Sequence, residues 1–93
     1  MIKLPKITRY SKFGYKQSFV VHINDIKIYY SKDVPIAFET PESGLVVCKN
    51  IWGPTTGNHL NTIDGGGKNH KKRVSYVEFE KLWQQYIGEK GIT

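Results

Sequence analysis

Acid–base or nucleophilic catalysis needs histidine or cysteine side chains with suitable partners, and this chain holds few of them. The histidines are His22, His59 and His70, and the single cysteine is Cys48. His59 and Asp64 form the one pair that could support general acid–base chemistry, with two threonine hydroxyls nearby in sequence. Their spacing fits no catalytic mechanism, so this stretch is predicted to be a polar loop that braces the backbone. A small enzyme centred on His59 and Asp64 remains a remote alternative.

Metal binding and nucleotide hydrolysis have little support in the sequence. No histidines stand at ligand spacing, and one cysteine cannot form a cysteine-based zinc site. Cys48 is therefore interpreted as a small core residue. The run Gly65-Gly66-Gly67-Lys68 lacks the full P-loop pattern and a parallel βαβ context. It is interpreted either as a simple solvated connector or as a flexible basic loop that reaches an anionic partner. We predict no metal, no cofactor and no small-molecule substrate.

Basic residues are concentrated in two short segments of the chain. Of the 93 residues, 14 are Lys or Arg and 8 are Asp or Glu, which makes the formal net charge +6. Residues 1–16 carry +5 and residues 65–73 carry +4, whereas the remaining residues together carry −3. Because an electrostatic field depends on local charge density, the two segments predict a surface that binds a polyanion. A role in solubility alone is the plainer alternative.

The first basic segment also interleaves its cations with aromatic rings, over residues 9–16. Cations bind phosphates and flat rings stack on exposed bases, so this pattern favours nucleic-acid binding, although no established nucleic-acid-binding signature is present. The alternative is that Tyr10, Phe13 and Tyr15 pack on the core. The residues predicted to bind nucleic acid or another partner are Arg9, Tyr10, Lys12, Tyr15, Lys16, Lys68, Lys71, Lys72 and Arg73.

Alternating apolar residues on both sides of Asn24-Asp25 predict a β-hairpin with these two residues as its loop. Three pairs then face one another: Ile23 with Ile26, Val21 with Ile28, and Phe19 with Tyr30. A slip of one residue would break all three pairs, so the register is well specified. A second hairpin is predicted from the apolar runs 36–38 and 45–48, because the residues between them are rich in turn formers.

The second half of the chain carries one weak and one strong helical signal. Pro54 with Thr55 or Thr56 could begin a helix, but the glycine and asparagines that follow limit the prediction to one or two turns or a structured loop. Residues 64–72 are predicted to form a loop because they contain three consecutive glycines. Ser75 begins a capping-box pattern, and the apolar stripe after it predicts a helix over residues 76–87.

These elements predict a small α+β protein, with an antiparallel sheet of about four strands in two hairpins packed by one C-terminal helix. We divide the chain into a basic, aromatic N-terminal arm, residues 1–16, and a single α+β domain, residues 17–93. No apolar run is long enough to cross a membrane, and the N-terminus lacks the apolar segment of a signal peptide. The expected location is the cytoplasm.

One stretch of the chain carries a resemblance. Tyr29-Tyr30-Ser31 and Val34-Pro35-Ile36-Ala37-Phe38 are followed by Thr55-Thr56-Gly57-Asn58-His59-Leu60-Asn61. The stretch resembles a group of small bacteriophage and mobile-element proteins with a Tyr-Ser…Pro-Val-Ala-Phe strand pair and a Thr-Thr-Gly-x-His-Leu-Asn run. The resemblance spans roughly residues 17–87, departs at Asn58 and at Lys32-Asp33, and implies a phage-type accessory protein. It marks Thr55, Thr56, His59 and Asn61 as a shared site, unless these residues only brace a loop.

The favoured hypothesis is a non-enzymatic, phage-type accessory protein that acts by binding. Its basic surface would engage nucleic acid or a host nucleoprotein, such as a defence complex. The alternative is a protein-only inhibitor or interaction module. It would dock a host protein through the sheet face that holds Val20, Lys27 and Tyr29, or through an edge strand.

Overall fold

Five antiparallel strands form one sheet whose spatial order follows the chain. The structure, a computed structural model, describes residues 6–10 and 17–88. Within these residues the strands are β1 (Lys6–Arg9), β2 (Ser18–Ile23), β3 (Ile26–Ser31), β4 (Val34–Thr40) and β5 (Gly44–Val47). The α+β class is confirmed. The sheet has one strand more than the predicted four, because residues 6–9 of the N-terminal segment pair with β2.

The first hairpin has the predicted loop and register. Ile23 pairs with Ile26, Val21 with Ile28, and Phe19 with Tyr30. Asn24 adopts a φ of 53°, the left-handed conformation that such a short loop requires and that asparagine tolerates. The pairing thus follows from the alternation of apolar residues along the two strands.

The second hairpin also forms, with Ala37 opposite Val47 and Phe38 opposite Val46. Beyond β5, Cys48 makes a parallel bridge with Val74, so the chain that precedes the last helix lies along the end of this strand. Cys48 is fully buried, and burial raises the pKa of its thiol to about 11. It is a core residue, as predicted.

The segment after the sheet is more helical than predicted. Helix α1 spans Pro54–Asp64, and a 3₁₀ segment spans Gly67–Lys72. The predictions of one or two turns and of a loop are therefore wrong. Pro54 does lie in the first turn, but the residue that caps the helix is Gly53, not a threonine. The Asn50 side chain stabilises the turn before α1, because it accepts from the N–H groups of Trp52 and Gly53 and donates to the Gly53 carbonyl.

Helix α2 spans Tyr76–Tyr86, as the apolar stripe predicts. The Ser75 hydroxyl accepts a hydrogen bond from the Glu78 N–H at 3.2 Å and so caps the helix start. Phe79 and Ile87, on one side of this segment, are buried in the core.

The two helices lie on opposite faces of the sheet. Phe79 of α2 packs with Ile28, Phe38 and Val46 on one face. Leu60 of α1 packs with residues of the other face, Ala37 and Val47 among them, in a second cluster. Neighbouring residues of a strand point to opposite faces, so the sheet is the middle layer of three. The prediction of a single packed helix is corrected accordingly.

Candidate functional site

A buried ion pair joins the end of α1 to the residue after the 3₁₀ segment. Arg73 Nε donates to Asp64 Oδ2 at 2.7 Å, and Arg73 Nη2 donates to Asp64 Oδ1 at 2.9 Å. Both side chains are less than a tenth exposed. Arg73 was predicted to belong to the binding surface, but its charge is neutralised inside the fold, so we leave it out of that surface.

The surroundings of Asp64 act on its pKa in opposite directions. Burial alone would raise the pKa of this carboxyl. The hydrogen bonds from Arg73 and from the Gly66 N–H, together with the charges of Arg73 and His70, outweigh burial and lower the pKa from its ordinary value of 3.8. Asp64 is therefore an ionised structural residue whose two oxygens are engaged by neighbours.

Further hydrogen bonds hold the 3₁₀ segment against α1. The Gly66 N–H donates to Asp64 Oδ1 at 2.8 Å, and the Asn69 side-chain amide donates to the Asp64 carbonyl. Asn61 Oδ1 accepts from Arg73 Nη2 and lies 3.0 Å from His70 Nε2. The glycine-lysine run is thus a held segment rather than the flexible loop predicted from its glycines.

The lysines of the 3₁₀ segment point to solvent. Lys68, Lys71 and Lys72 are exposed. Lys49, which follows β5 and Cys48, is also exposed and lines one depression of about 460 Å³ with His70 and Arg73. Lys72 lines a second depression of about 290 Å³, which Arg73 also borders. We call Lys49, Lys68, His70, Lys71 and Lys72 the basic surface.

Sequence reasoning missed Lys49 as a member of this surface. The residue is a single cation in an acidic stretch, and no local pattern distinguishes it. Its backbone N–H donates to the Val74 carbonyl at 2.8 Å, and this contact brings it beside the segment that carries the other lysines. Only a long-range pairing of this kind could have identified it.

The described part of the N-terminal segment is built into the fold. The Tyr10 hydroxyl donates to the Tyr30 carbonyl at 2.9 Å, and its ring contacts the rings of Tyr29 and His59 edge to face. Burial, with the nearby Tyr29, raises the pKa of Tyr10. Arg9 is exposed, and its guanidinium lies 5.8 Å from the centre of the Phe19 ring. Tyr10 therefore packs, as the alternative interpretation held, and does not present its ring for stacking.

The two basic segments lie apart, as far as residues 6–10 and 17–88 show. Strand β1, with Lys6 and Arg9, is one edge of the sheet, and β5, beside which Lys72 lies, is the other. The predicted sites Lys12, Tyr15 and Lys16 lie outside the described residues. The described cations of the N-terminal segment therefore do not join the basic surface.

The Thr-Thr-Gly-x-His-Leu-Asn run forms an internal brace. The Ser31 hydroxyl lies 2.9 Å from the Thr56 hydroxyl and 2.7 Å from His59 Nδ1, and all three side chains are buried. Asn61 holds the 3₁₀ segment, whereas Thr55 is exposed at the start of α1. His59 and Asp64 have separate partners, so the geometry does not join them into an acid–base pair.

The sheet face considered for protein docking is largely covered. Val20 is buried, and the Tyr29 ring packs against Tyr10 and the cluster around Leu60. Lys27 is exposed opposite Glu39.

In the described ranges, no three His, Cys, Asp or Glu side chains lie close enough to hold a metal ion. Over the same ranges, no helix has the length and apolar character needed to cross a membrane.

Comparison with known proteins gives a match to a protein family. A model described as a family of unknown function, DUF8033, matches residues 2–81. No curated protein and no solved structure shows a significant match. The matched range includes the sheet, the Ser31–Thr56–His59 brace and the basic surface, so these features belong to the part of the chain that the family defines.

Proposed function

The chain belongs to the family of unknown function DUF8033, and we propose that it acts by binding nucleic acid through the basic surface rather than by catalysis. The observation that carries the proposal is the concentration of exposed lysines on one short, held segment. Lys68, Lys71 and Lys72 extend from residues 67–72, and Lys49 lies beside them.

The charge of this surface is not balanced by its surroundings. The 3₁₀ segment contacts Asp64, an acid that Arg73 neutralises inside the fold. Within the described part of the chain, none of the four lysines takes part in an ion pair. A cluster of this kind attracts the phosphate backbone of a nucleic acid, because each phosphate that is neutralised releases a condensed counterion.

The rigidity of the segment also favours binding. Hydrogen bonds from Gly66, Asn69 and Arg73 hold the segment before any ligand arrives. A ligand then orders only the lysine side chains and not the backbone, and less conformational entropy is lost on binding. The hydrogen bonds that bury Arg73 therefore also fix the backbone from which the lysines extend.

The test is binding of short oligonucleotides, measured by fluorescence anisotropy over a series of salt concentrations. Affinity is expected to fall steeply as salt rises. The double variant Lys71→Gln with Lys72→Gln should bind less tightly, and the slope of log affinity against log salt should fall by about 1.4 for a single strand or about 1.8 for a duplex. Arg73 is left out of the variant because its loss would disturb the fold.

The matched control changes two exposed lysines outside the basic surface, Lys27→Gln with Lys32→Gln, and lowers the net charge equally. This control should keep the affinity and most of the salt slope. Equal losses in both variants would show that net charge alone attracts the ligand. Absence of binding to DNA and RNA at low salt would refute direct nucleic-acid binding.

The biological setting of the proposal rests on the resemblance to bacteriophage and mobile-element proteins. On this basis we propose that the chain is a phage-type accessory protein in the host cytoplasm. Its target is host nucleic acid or a nucleoprotein such as a defence complex. The phosphate backbone would be the shared determinant in both cases. Nuclease treatment of a captured complex distinguishes them, because only a target that also offers protein contacts remains bound.

The second candidate is a protein-only module that binds through the edge strand β1. The observation that favours it is Ile7, which is 62% exposed on this strand. An extended segment of another protein could pair with the outer edge and cover this side chain. Capture that survives nuclease and is abolished by Ile7→Lys supports this candidate, whereas capture that Ile7→Lys leaves intact excludes it.

A further inference from the structure

Two aromatic rings follow closely in the chain after Lys49 and after Val74, which pair with one another. The Lys49 N–H donates to the Val74 carbonyl, and the Val74 N–H donates to the Val47 carbonyl at 2.9 Å. This pairing sets the chain after β5 beside the chain that leads into α2. Trp52 lies three residues after Lys49, and Tyr76 lies two residues after Val74. The two rings meet edge to face, with their centres 6.3 Å apart.

The rings differ in exposure and support. Tyr76 is 42% exposed, whereas Trp52 is partly buried and packs against the clusters on both faces of the sheet. Trp52 is therefore held in place by the core and supports the Tyr76 ring, which is accessible to solvent. An exposed ring supported in this way can receive another flat ring without first being ordered.

Charges around the ring pair determine which part of a nucleic acid fits there. The Tyr76 hydroxyl is hydrogen-bonded to Glu80 of α2, and Glu78 lies in the first turn of the helix. These carboxylates repel phosphates but not neutral bases. Lys71 and Lys72 precede Val74 in the chain, so they attract phosphates on the other side of the parallel Cys48–Val74 bridge from Tyr76, and Lys49, which follows Cys48, attracts them beside the bridge. A strand that lies on the lysines would therefore turn its bases, and not its backbone, toward Tyr76.

We infer that the nucleic acid bound by this protein is single-stranded, with its backbone on the basic surface and an unpaired base stacked on Tyr76. The inference rests on the proposed function and names the class of its ligand. In a duplex the faces of the bases are covered by their neighbours, so Tyr76 has no ring to receive. In a single strand the bases can leave the stack and lie on an aromatic side chain.

The test compares a fluorescent oligothymidylate with the duplex that it forms with oligoadenylate, under identical low salt. We expect the single strand to bind more tightly. Tyr76→Ala should weaken binding of the single strand roughly five- to 150-fold, the range that loss of one stacked base produces. Its salt slope should stay unchanged, since no phosphate contact is lost. Binding of the duplex should be unaffected.

Tyr76→Phe is the matched control, because it keeps the ring and removes only the hydroxyl that bonds to Glu80. It should bind the single strand as the parent does. Circular dichroism confirms that both variants fold. Quenching of tryptophan fluorescence gives a second readout, because Trp52 touches the Tyr76 ring, and the single strand should quench more strongly than the duplex.

The outcomes separate the inference from the proposed function. Equal affinity for single strand and duplex, with Tyr76→Ala behaving as the parent, would overturn the inference and leave the basic surface in place. A preference for the single strand that Tyr76→Ala leaves unchanged would overturn the assignment of the ring. Failure of both oligonucleotides to bind would overturn the proposed function and the inference together.

Discussion

At the scale of single residues, the Thr-Thr-Gly-x-His-Leu-Asn run is hydrogen-bonded to Ser31. The Ser31 hydroxyl bonds to Thr56 and to His59, so the two parts of the sequence that carry the resemblance are in contact. Burial of these polar side chains is tolerable only because each has a partner. The residues therefore join β3 to α1, and their role in this structure is to brace the fold.

The neighbouring threonines offer a direct comparison of this role. Thr56→Ala should lower the free energy of unfolding by about 1–3 kcal/mol, because it leaves the Ser31–His59 pair short of a buried partner. Thr55→Ala changes an exposed residue of the same helix turn and should stay within about 0.5 kcal/mol of the parent. Urea denaturation measures both. Equal stability of the two variants would contradict the brace.

The Asp64–Arg73 pair makes a prediction about buried charge. Asp64→Asn should lower the free energy of unfolding at neutral pH by about 3–5 kcal/mol, because the Arg73 guanidinium stays buried without its counter-charge. The matched control, Asp33→Asn, changes an exposed turn residue and should have little effect. A loss no larger than that of the control would show that the pair does not stabilise the fold.

The same pair predicts how stability depends on pH. The folded protein lowers the pKa of Asp64 below 3.8, so the unfolded chain binds this proton at a higher pH than the folded one does. The stabilisation by the carboxylate is complete above its ordinary pKa and is lost as the pH falls through the lowered value. The difference in stability between the parent and Asp64→Asn should therefore shrink in that acidic range. A difference that is constant with pH would contradict this linkage.

At the scale of elements, α1 shows how tertiary contacts override helix propensity. Gly57 and the asparagines predict at most two turns, yet the helix has 11 residues. Asn50 organises the turn before it, and the buried Leu60 packs it onto the sheet. Gly65, at a φ of 86°, ends it with the left-handed conformation that glycine adopts easily.

Gly57 also has a positive role in α1, because a Cβ there would lie 3.0 Å from Asn50 Nδ2. In an ordinary helix, Gly→Ala stabilises by about 1 kcal/mol. Here Gly57→Ala should give no gain or a loss, since three hydrogen bonds hold the Asn50 amide in place. In the background of Asn50→Ala the same change should stabilise. Thermal denaturation of the four proteins tests this, and a full gain in the parent background would contradict it.

At the scale of the whole molecule, one sheet supports two small cores. The cluster around Phe38 and Phe79 lies on one face, the cluster around Val47 and Leu60 lies on the other, and Trp52 packs against both. A domain of this size has a stability of only about 5–15 kcal/mol, so neither core is expected to fold without the other. The molecule should therefore unfold as a unit.

Two leucines test this cooperativity. Leu60→Ala removes a fully buried side chain and should lower the free energy of unfolding by about 2–5 kcal/mol. Leu45→Ala makes the same chemical change at a residue that is 43% exposed and should cost far less. In both variants, tryptophan fluorescence and circular dichroism should report a single, coincident transition. Two separate transitions in Leu60→Ala would show that the faces unfold independently.

Local patterns determined much of this protein. Both hairpins, the register of β2 with β3, the capped helix α2 and the basic run at residues 68–72 are readable from neighbours in the chain, because alternation, capping and charge act over a few residues. Tertiary structure alone decided the rest. Tertiary contacts stabilise α1, whose sequence has a weak helical propensity, and they bury Arg73 in an ion pair although its sequence predicts a surface residue. They also pack Tyr10 against His59 and place Lys49 beside residues 67–72. Each of these four features depends on contacts between segments that are distant in sequence. The free energy of such a contact depends on both segments, so it cannot be predicted from the sequence of either segment alone.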